Sequence, residues 1–262
     1  MNRYLFEHGW ELERRRLDLL EQVFDPGTRW HLGRIPLPPG GRCLEVGAGA
    51  GSIAQWLCDR VGPDGLVVAT DLDTGFLAEL TEKNLEVRCH NIVADELEED
   101  AFDLVHSRLL LDHLPARRQV LKRMAAALRP GGWMVQEAFD WASLVVAPAC
   151  TGAALHTRLY EALEGVFAAA GATADFGRQL PHEFKAAGLV DVGAEGRTAV
   201  ALPGTPAGAW WQLSMAALRE PLLRTGGLSE AEMDEALRAC DDDGYCSVFP
   251  TLVTTWGRRP PV

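Results

Sequence analysis

The chain alternates two hydrophobic patterns between residues 40 and 140. Short, nearly continuous apolar runs predict buried strands at Arg42–Val46, Leu66–Asp71, Glu86–His90, Phe102–Ser107 and Gly132–Glu137. Amphipathic stretches that begin at Ser52, near Thr74 and at Pro115 predict helices between these strands. Strands of this kind that alternate with helices form a mostly parallel sheet with helices on both faces. Such sheets bind ligands at the carboxyl ends of their strands.

The segments that flank this core have patterns of their own. Apolar residues at helical spacing predict a helical cap over residues 1–39, and a further helix is predicted over residues 151–170. Val190–Leu202 and Ser247–Trp256 predict two more strands, and the residues between them predict helices. We interpret the chain as one domain with four parts: the cap 1–39, an α/β core 40–202, a helical insertion or lid 203–246 and the last strand 247–262.

Alternating glycines follow the first predicted strand. Gly47, Gly49 and Gly51 come directly after a strand that contains Glu45. Because glycine lacks a Cβ, such a loop can turn tightly and bring its backbone against a ligand. Asp71 ends the second strand, where its carboxylate can accept hydrogen bonds from both hydroxyls of a ribose. The two strand ends therefore predict a site for an adenosine-type ligand.

The spacing of the glycines separates two classes of cofactor. A dinucleotide site requires G-x-G-x-x-G, whereas the third glycine here comes one residue early and Ser52 stands where glycine or alanine is needed. The negative charge of Glu45 suits a sulfonium and an amino-acid tail better than two phosphates. The motif resembles that of the class I S-adenosylmethionine-dependent methyltransferases. The resemblance covers about residues 40 to 140 and continues through Val87–Ile92, Ala101–Arg108 and Leu128–Glu137.

This resemblance implies a fold, an activity and a site. The fold is a Rossmann-like, seven-stranded, mostly parallel sheet with an antiparallel last strand. The activity is methyl transfer from S-adenosyl-L-methionine to a small-molecule acceptor, with a secondary metabolite favoured, by in-line displacement in a desolvated pocket. The implied cofactor-binding residues are Glu45, Gly47, Ala48, Gly49, Gly51, Asp71, Leu72, Asn91, Ile92, Ser107 and Arg108. The alternative is a non-catalytic relative that binds the cofactor or regulates another protein.

Several of these positions have a second interpretation. Asn91 occupies the place where the family carries an aspartate that accepts from the adenine amino group, and it could instead turn the chain after the third strand. Arg108 could pair with the cofactor carboxylate or form a structural ion pair. His106 and His113 are weak candidates for a catalytic base, because a histidine in a leucine-rich segment is more often packed and hydrogen-bonded. The catalytic residues are thus not identified.

Composition limits which classes of partner and which cellular compartment we expect for this chain. The 37 acidic against 25 basic residues give a net charge of −12, which repels nucleic acid. The six cysteines form no C-x-x-C pair, which favours a reduced, cytoplasmic protein without structural zinc, and no acidic cluster suggests another metal site. The acids Glu7, Glu11 and Glu13 argue against a secretion signal, and no apolar run is long enough to span a bilayer. The oligomeric state is open, with a homodimer as a candidate.

Tryptophans concentrate in the flanking segments. These residues are Trp10, Trp30, Trp141, Trp210 and Trp211. We expect them to form an aromatic roof over a flat or apolar acceptor, with ordinary helix packing as the alternative.

Overall fold

Ten strands follow one another within residues 10–261. They are β1 (Arg42–Val46), β2 (Leu66–Asp71), β3 (Leu85–Cys89), β4 (Phe102–Arg108), β5 (Leu128–Asp140), β6 (Val145–Val146), β7 (Val190–Arg197), β8 (Val200–Ala201), β9 (Ser247–Val248) and β10 (Thr251–Arg258). Seven of them form one sheet in the order β3-β2-β1-β4-β5-β10-β7. Strands β1 to β5 pair in parallel, whereas β10 pairs with β7 in the antiparallel sense. The predicted Rossmann-like sheet with an antiparallel end is confirmed.

Eight helices accompany the strands in residues 10–261, which are the residues that this computed structural model describes. They are α1 (Trp10–Gly33), α2 (Ser52–Val61), α3 (Arg117–Ala127), α4 (Ala153–Ala169), α5 (Phe176–Ala186), α6 (Pro206–Ala217), α7 (Arg219–Arg224) and α8 (Glu230–Ala239). The first nine residues of the predicted cap and the side chain of Trp10 lie outside the described part. None of the helices within residues 10–261 is long and apolar enough to cross a membrane.

The chain divides into two compact units. The sheet unit comprises Asp25–Phe139, Phe176–Arg197 and Leu252–Val262, and the helical unit comprises Met1–Phe24, Asp140–Asp175 and Thr198–Thr251. The predicted insertion 203–246 belongs to the helical unit and contains α6, α7 and α8. The interpretation of the chain as one domain stays a prediction.

Two hydrophobic cores cover the faces of the large sheet. On one face, α3 and α5 bury residues such as Val120, Met124 and Phe184 against the strands. On the other face, α2 packs with Leu32 and Ile35, which lie at and just beyond the end of α1. This arrangement leaves the carboxyl ends of β1, β2 and β4 at one edge of the sheet, where the predicted site residues follow.

The helical unit has a small sheet that the sequence did not predict. Strands β6, β9 and β8 pair in the antiparallel sense in that order. The predicted strands Val190–Leu202 and Ser247–Trp256 are each interrupted, so the expectation of two long strands was wrong. In the second of them, Pro250 separates β9 from β10, because proline cannot donate a ladder hydrogen bond.

The predicted helix near Thr74 is also wrong. Only one turn of 3-10 helix forms there, at Leu77–Glu79. The carboxylates of Asp71 and Asp73 accept hydrogen bonds from the backbone N–H groups of Asp73 and Gly75 at 3.2 and 2.9 Å. Such local side-chain bonds compete with a helix, so the segment turns instead.

Candidate functional site

The glycine loop is held against the second strand. The backbone N–H groups of Gly47 and Ala48 both donate to the carbonyl oxygen of Thr70, at 2.8 and 3.0 Å. Gly47, Gly49 and Gly51 have φ values of 72°, 57° and 90°, in the left-handed region that favours glycine. A Cβ on Gly51 would lie 2.5 Å from Cδ1 of Leu80. The loop therefore requires glycine both for its dihedral angles and for its close contacts.

Asp71 joins this loop to the end of β2. Its Oδ2 accepts a hydrogen bond from the backbone N–H of Gly49 at 2.9 Å. Burial raises the pKa of Asp71, and the backbone N–H groups that it accepts from oppose that rise. Because a carboxylate offers about four acceptor positions, the group retains capacity for a ligand hydroxyl. The structure thus brings together the acid and the glycines that the sequence predicted to share a site.

The residues after β3 lie beside Asp71. The backbone N–H of His90 donates to the Asp71 carbonyl oxygen at 2.9 Å. Asn91 Oδ1 accepts from the backbone N–H of Val93 at 3.0 Å, which is the contact expected if Asn91 turns the chain. The Ile92 side chain is buried, whereas Leu72 is 59% exposed. The contact of Asn91 and Ile92 with an adenine stays a prediction.

A buried histidine lies between two carboxylates below the loop. His106 is fully buried, and its Nδ1 lies 2.6 Å from Oε2 of Glu45. Its Nε2 lies 3.6 Å from Oε2 of Glu137, beyond hydrogen-bond distance but within ion-pair range. Glu45 and Glu137 are themselves only 3% exposed. We call these three residues the buried charge cluster.

The electrostatics of the buried charge cluster fix the charge of the histidine. Burial alone would lower the pKa of His106, but Glu45 and Glu137 together raise it to about 9. Burial would raise the pKa of Glu137, yet its contacts with His106 lower it to about 2. His106 is therefore an imidazolium at neutral pH, with no lone pair to accept a proton. This geometry favours the packed histidine over the predicted base.

Arg108 continues the network toward α1. Its guanidinium donates to Asp25 Oδ1 and to Thr28 Oγ1, each at 2.9 Å. The side chain is 9% exposed, so the structural ion pair is the interpretation that the contacts favour. Thr28 also donates to Glu137 at 2.5 Å, and Thr254 donates to the other oxygen of Glu137 at 2.6 Å. The Glu45 carboxylate likewise contacts His106. The cofactor contacts of Glu45 and Arg108 stay predictions.

Ser107 and the residues after it are also buried or turned inward. The Ser107 hydroxyl donates to Oε1 of Gln136 and is 1% exposed. His113 ends a 3-10 turn at Leu111–His113. In that turn Asp112 is 3% exposed, burial raises its pKa, and within residues 10–261 its Oδ1 has no hydrogen-bond partner. The roles predicted for Ser107 and His113 stay predictions.

Sequence reasoning missed the partners of the histidine and the arginine. Asp25, Thr28 and Thr254 come from elements outside the motif region, and only their contacts reveal them. Glu137 had a signal, since it is a charged residue inside an apolar strand. Within the described residues, no group of histidine, cysteine, aspartate and glutamate side chains is placed to hold a metal ion.

The comparisons with known proteins agree with the strand-loop-strand geometry. Residues 44–136 match a family model described as a methyltransferase domain. Over 133 residues the chain is 32% identical to methyltransferase str2 of Strobilurus tenacellus, covering 50% of this chain and 48% of the relative. It is 33% identical over 103 residues to trans-aconitate 2-methyltransferase of Variovorax paradoxus, covering 38% and 39% of the two chains. The chain thus spans about half or less of the length of these curated relatives.

A solved structure extends the likeness to nearly the whole chain. Phosphoethanolamine N-methyltransferase 2 of Haemonchus contortus, in complex with phosphomonomethylethanolamine and S-adenosylhomocysteine, superposes with a TM-score of 0.52. The superposition covers 97% of this chain and 53% of that one at 18% identity, which shows a shared fold. Residues 44–136 therefore match a methyltransferase domain, and the chain shares the fold of a solved N-methyltransferase.

Proposed function

We propose that this protein transfers a methyl group from S-adenosyl-L-methionine to a small-molecule acceptor. The observation that carries the proposal is the hydrogen bond between the Gly49 backbone and the Asp71 carboxylate, which joins the glycine loop to the acid of the second strand. The loop has the positive φ values that let its backbone approach a ligand closely, and Asp71 keeps acceptor positions for a ribose. These residues fit an adenosine with an amino-acid tail.

The chain supplies binding and alignment to this reaction. Gly47 and Gly49 would hold the methionine part, Asp71 the ribose, and the exposed Leu72 an apolar face of the adenine. When bound, the cofactor supplies a methyl group that is already activated for an in-line displacement. The protein then has to orient the acceptor and exclude water, and a general base is optional. This division agrees with a histidine that is charged and buried and so cannot accept a proton.

Two observations support a small-molecule acceptor. Two of the relatives are named for trans-aconitate and for phosphoethanolamine, which are small molecules. The net charge of −12 disfavours nucleic acid. A secondary metabolite, a cytoplasmic location and a homodimer belong to the same proposal.

Calorimetry with S-adenosylhomocysteine tests the cofactor site. We expect Asp71→Asn to weaken binding about ten- to a hundredfold, since a charge-assisted hydrogen bond contributes roughly 1.5–3 kcal/mol. Asp59→Asn, an exposed acid on α2, is the matched control and should bind like the original protein. An unchanged dissociation constant for a folded Asp71→Asn variant would contradict the ribose assignment.

Transfer of a radiolabelled methyl group to a panel of small molecules tests the activity. Transfer to at least one of them in a cofactor-dependent reaction supports the proposal. Tight binding of S-adenosylhomocysteine with no transfer to any acceptor, or to water, favours the non-catalytic alternative.

A further inference from the structure

Two cysteines that are far apart in the sequence meet within the helical unit. The sulfur of Cys150 accepts a hydrogen bond from the backbone N–H of Cys246 at 3.1 Å, across 96 positions of the chain. The Cys150 thiol also donates to the carbonyl oxygen of Thr151 at 3.3 Å. Both cysteines are free thiols. The residues that carry the proposed function include neither of them.

The separation of the two backbones suits a disulfide. The 3.1 Å contact ends at the backbone nitrogen of Cys246, one bond from its Cα, and begins at the sulfur of Cys150, two bonds from its Cα. These covalent lengths limit the distance between the two Cα atoms to about 7 Å. Disulfides join Cα atoms that lie up to about 7 Å apart. The pair therefore meets the distance requirement for a disulfide without a large movement of the backbone.

Two turns hold the cysteines in this position. The backbone N–H of Thr151 donates to the Gly244 carbonyl oxygen at 3.0 Å, and the Thr151 hydroxyl donates to Oδ1 of Asp242 at 2.8 Å. The same Asp242 oxygen accepts from the backbone N–H of Gly244 at 2.8 Å. These bonds join the residue after Cys150 to the turn just before Cys246, so the fold keeps the two cysteines together.

The pair lies close to the surface of the helical unit. Cys246 is partly exposed, and Cys150 is 7% exposed beside the exposed Ala149. A small oxidant can thus reach Cys246, and the sulfur of Cys150 lies close enough to react with the product. Cys43 and Cys58 differ, because both belong to a hydrophobic core and are 0% and 3% exposed.

We propose that Cys150 and Cys246 are a redox-active pair that hydrogen peroxide oxidises to a reversible disulfide. The Cys246 thiolate attacks one peroxide oxygen, so that an S–O bond forms, the O–O bond breaks and the leaving hydroxide takes up a proton to become water. The sulfur of Cys150 then attacks the sulfenic acid. An S–S bond replaces the S–O bond, and the departing hydroxyl leaves as a second water with the thiol proton of Cys150. The two thiols lose two electrons and the peroxide accepts them, and a thiol reductant restores the pair by exchange.

The disulfide would connect two elements of the helical unit. Cys150 lies just before α4, which begins at Ala153, and Cys246 directly precedes β9. Closing so long a loop removes many conformations from the unfolded chain. We expect oxidation to raise the melting temperature by about 5 °C or more.

Peptide mapping under non-reducing conditions tests the pairing. The full chain carries Cys89→Ser, which removes an exposed thiol that would link two chains, and is treated while folded with a small excess of hydrogen peroxide. We expect the protein to lose the mass of two hydrogen atoms, to yield a peptide that joins Cys150 to Cys246, and to recover its free thiols with dithiothreitol. Cys43 and Cys58 should stay reduced and serve as internal controls.

Two results of the mapping would overturn the proposal. In one, Cys150 and Cys246 both still react with an alkylating agent when the treated protein is unfolded. In the other, Cys150 is bonded to the buried Cys240 instead.

A second variant separates the disulfide from other effects of oxidation. Cys246→Ser, at a partly exposed position, should form no crosslink and show no rise in melting temperature with peroxide. The matched control Cys89→Ser should show the full rise. Equal rises in the two variants would show that the pair does not cause the stabilisation and would refute the proposal. The assays do not involve S-adenosylhomocysteine, so their outcome is independent of the proposed function.

Discussion

Replacing His106 by glutamine tests the charge of the buried cluster. In the native protein the imidazolium lies between Glu45 and Glu137, at 2.6 and 3.6 Å. Removing it leaves two buried carboxylates without their cation. Breaking a buried ion pair from one side typically costs about 3–5 kcal/mol of stability. We therefore expect a loss of this size in the free energy of unfolding at pH 6.5.

The pH dependence of that loss follows from the pKa values. The pKa of His106 is about 9 in the folded protein against 6.5 ordinarily, so its contribution is fully present below pH 6.5 and is lost as the pH rises through 9. A rise of this size corresponds to about 3 kcal/mol. The stability difference between the original protein and His106→Gln should shrink by about this amount between pH 6.5 and pH 9.

Urea denaturation at several pH values measures the difference, and nitrogen-15 NMR of the histidine rings reports the protonation state directly. His182→Gln is the control, because it removes a histidine outside the buried charge cluster. Asn84→Ser is unsuitable, because Asn84 donates to backbone carbonyls. The difference in unfolding free energy between the original protein and the His182→Gln control should not vary between pH 6.5 and 9. A stability difference that does not vary with pH over this window would refute the assignment of His106 as a buried imidazolium.

Three further predictions address the loop, the helical unit and the adenine contact. Gly51→Ala should destabilise the protein more than Gly62→Ala and abolish S-adenosylhomocysteine binding. Both glycines have positive φ, but of the two only Gly51 would place a Cβ within 4 Å of other side chains. Equal melting temperatures for the two variants would contradict this. Burial lowers the pKa of His156 to about 4, so the neutral ring stabilises the fold above pH 6.5 and this contribution is lost as the pH falls through 4. His156→Phe should therefore reduce, by about 3 kcal/mol, the loss of unfolding free energy that denaturation curves show between pH 6.5 and pH 4. An unchanged loss over this range would contradict the buried neutral ring. Asn91→Asp retains the acceptor for Val93 and should bind S-adenosylhomocysteine equally or more tightly by calorimetry, whereas a tenfold fall would count against an adenine contact.

The positions of the central strands along the chain were predictable because each of them is a short apolar run bounded by turn residues. β1, β2 and β4 therefore appear close to their predicted limits. The glycine loop and Asp71 were predictable for a related reason, since positive φ and a strand-end carboxylate depend on local sequence. The segment after Asp71 was not, because two aspartates satisfy backbone N–H groups that a helix would have used.

The roles of Glu45 and Arg108 could not be predicted from local sequence. Glu45 contacts a histidine 61 positions away, and Arg108 contacts Asp25 at a separation of 83 positions. The pattern of α1 predicts a helix, but it does not reveal that Asp25 and Thr28 in its last turns contact side chains of the sheet. Long-range polar contacts of this kind depend on the packing of the finished fold.

The position of the buried charge cluster explains why an acid precedes the glycine loop. Glu45 lies two residues before Gly47, and His106 joins it to Glu137 near the end of β5. A hydrophobic cluster of the same volume would often be equally or more stable, so stability alone does not account for three buried charges. Backbone pairing already sets the register of β1, β4 and β5, and the ion pairs add a side-chain connection across the three strands. Since only Val46 lies between Glu45 and Gly47, we expect this connection to restrain the start of the glycine loop.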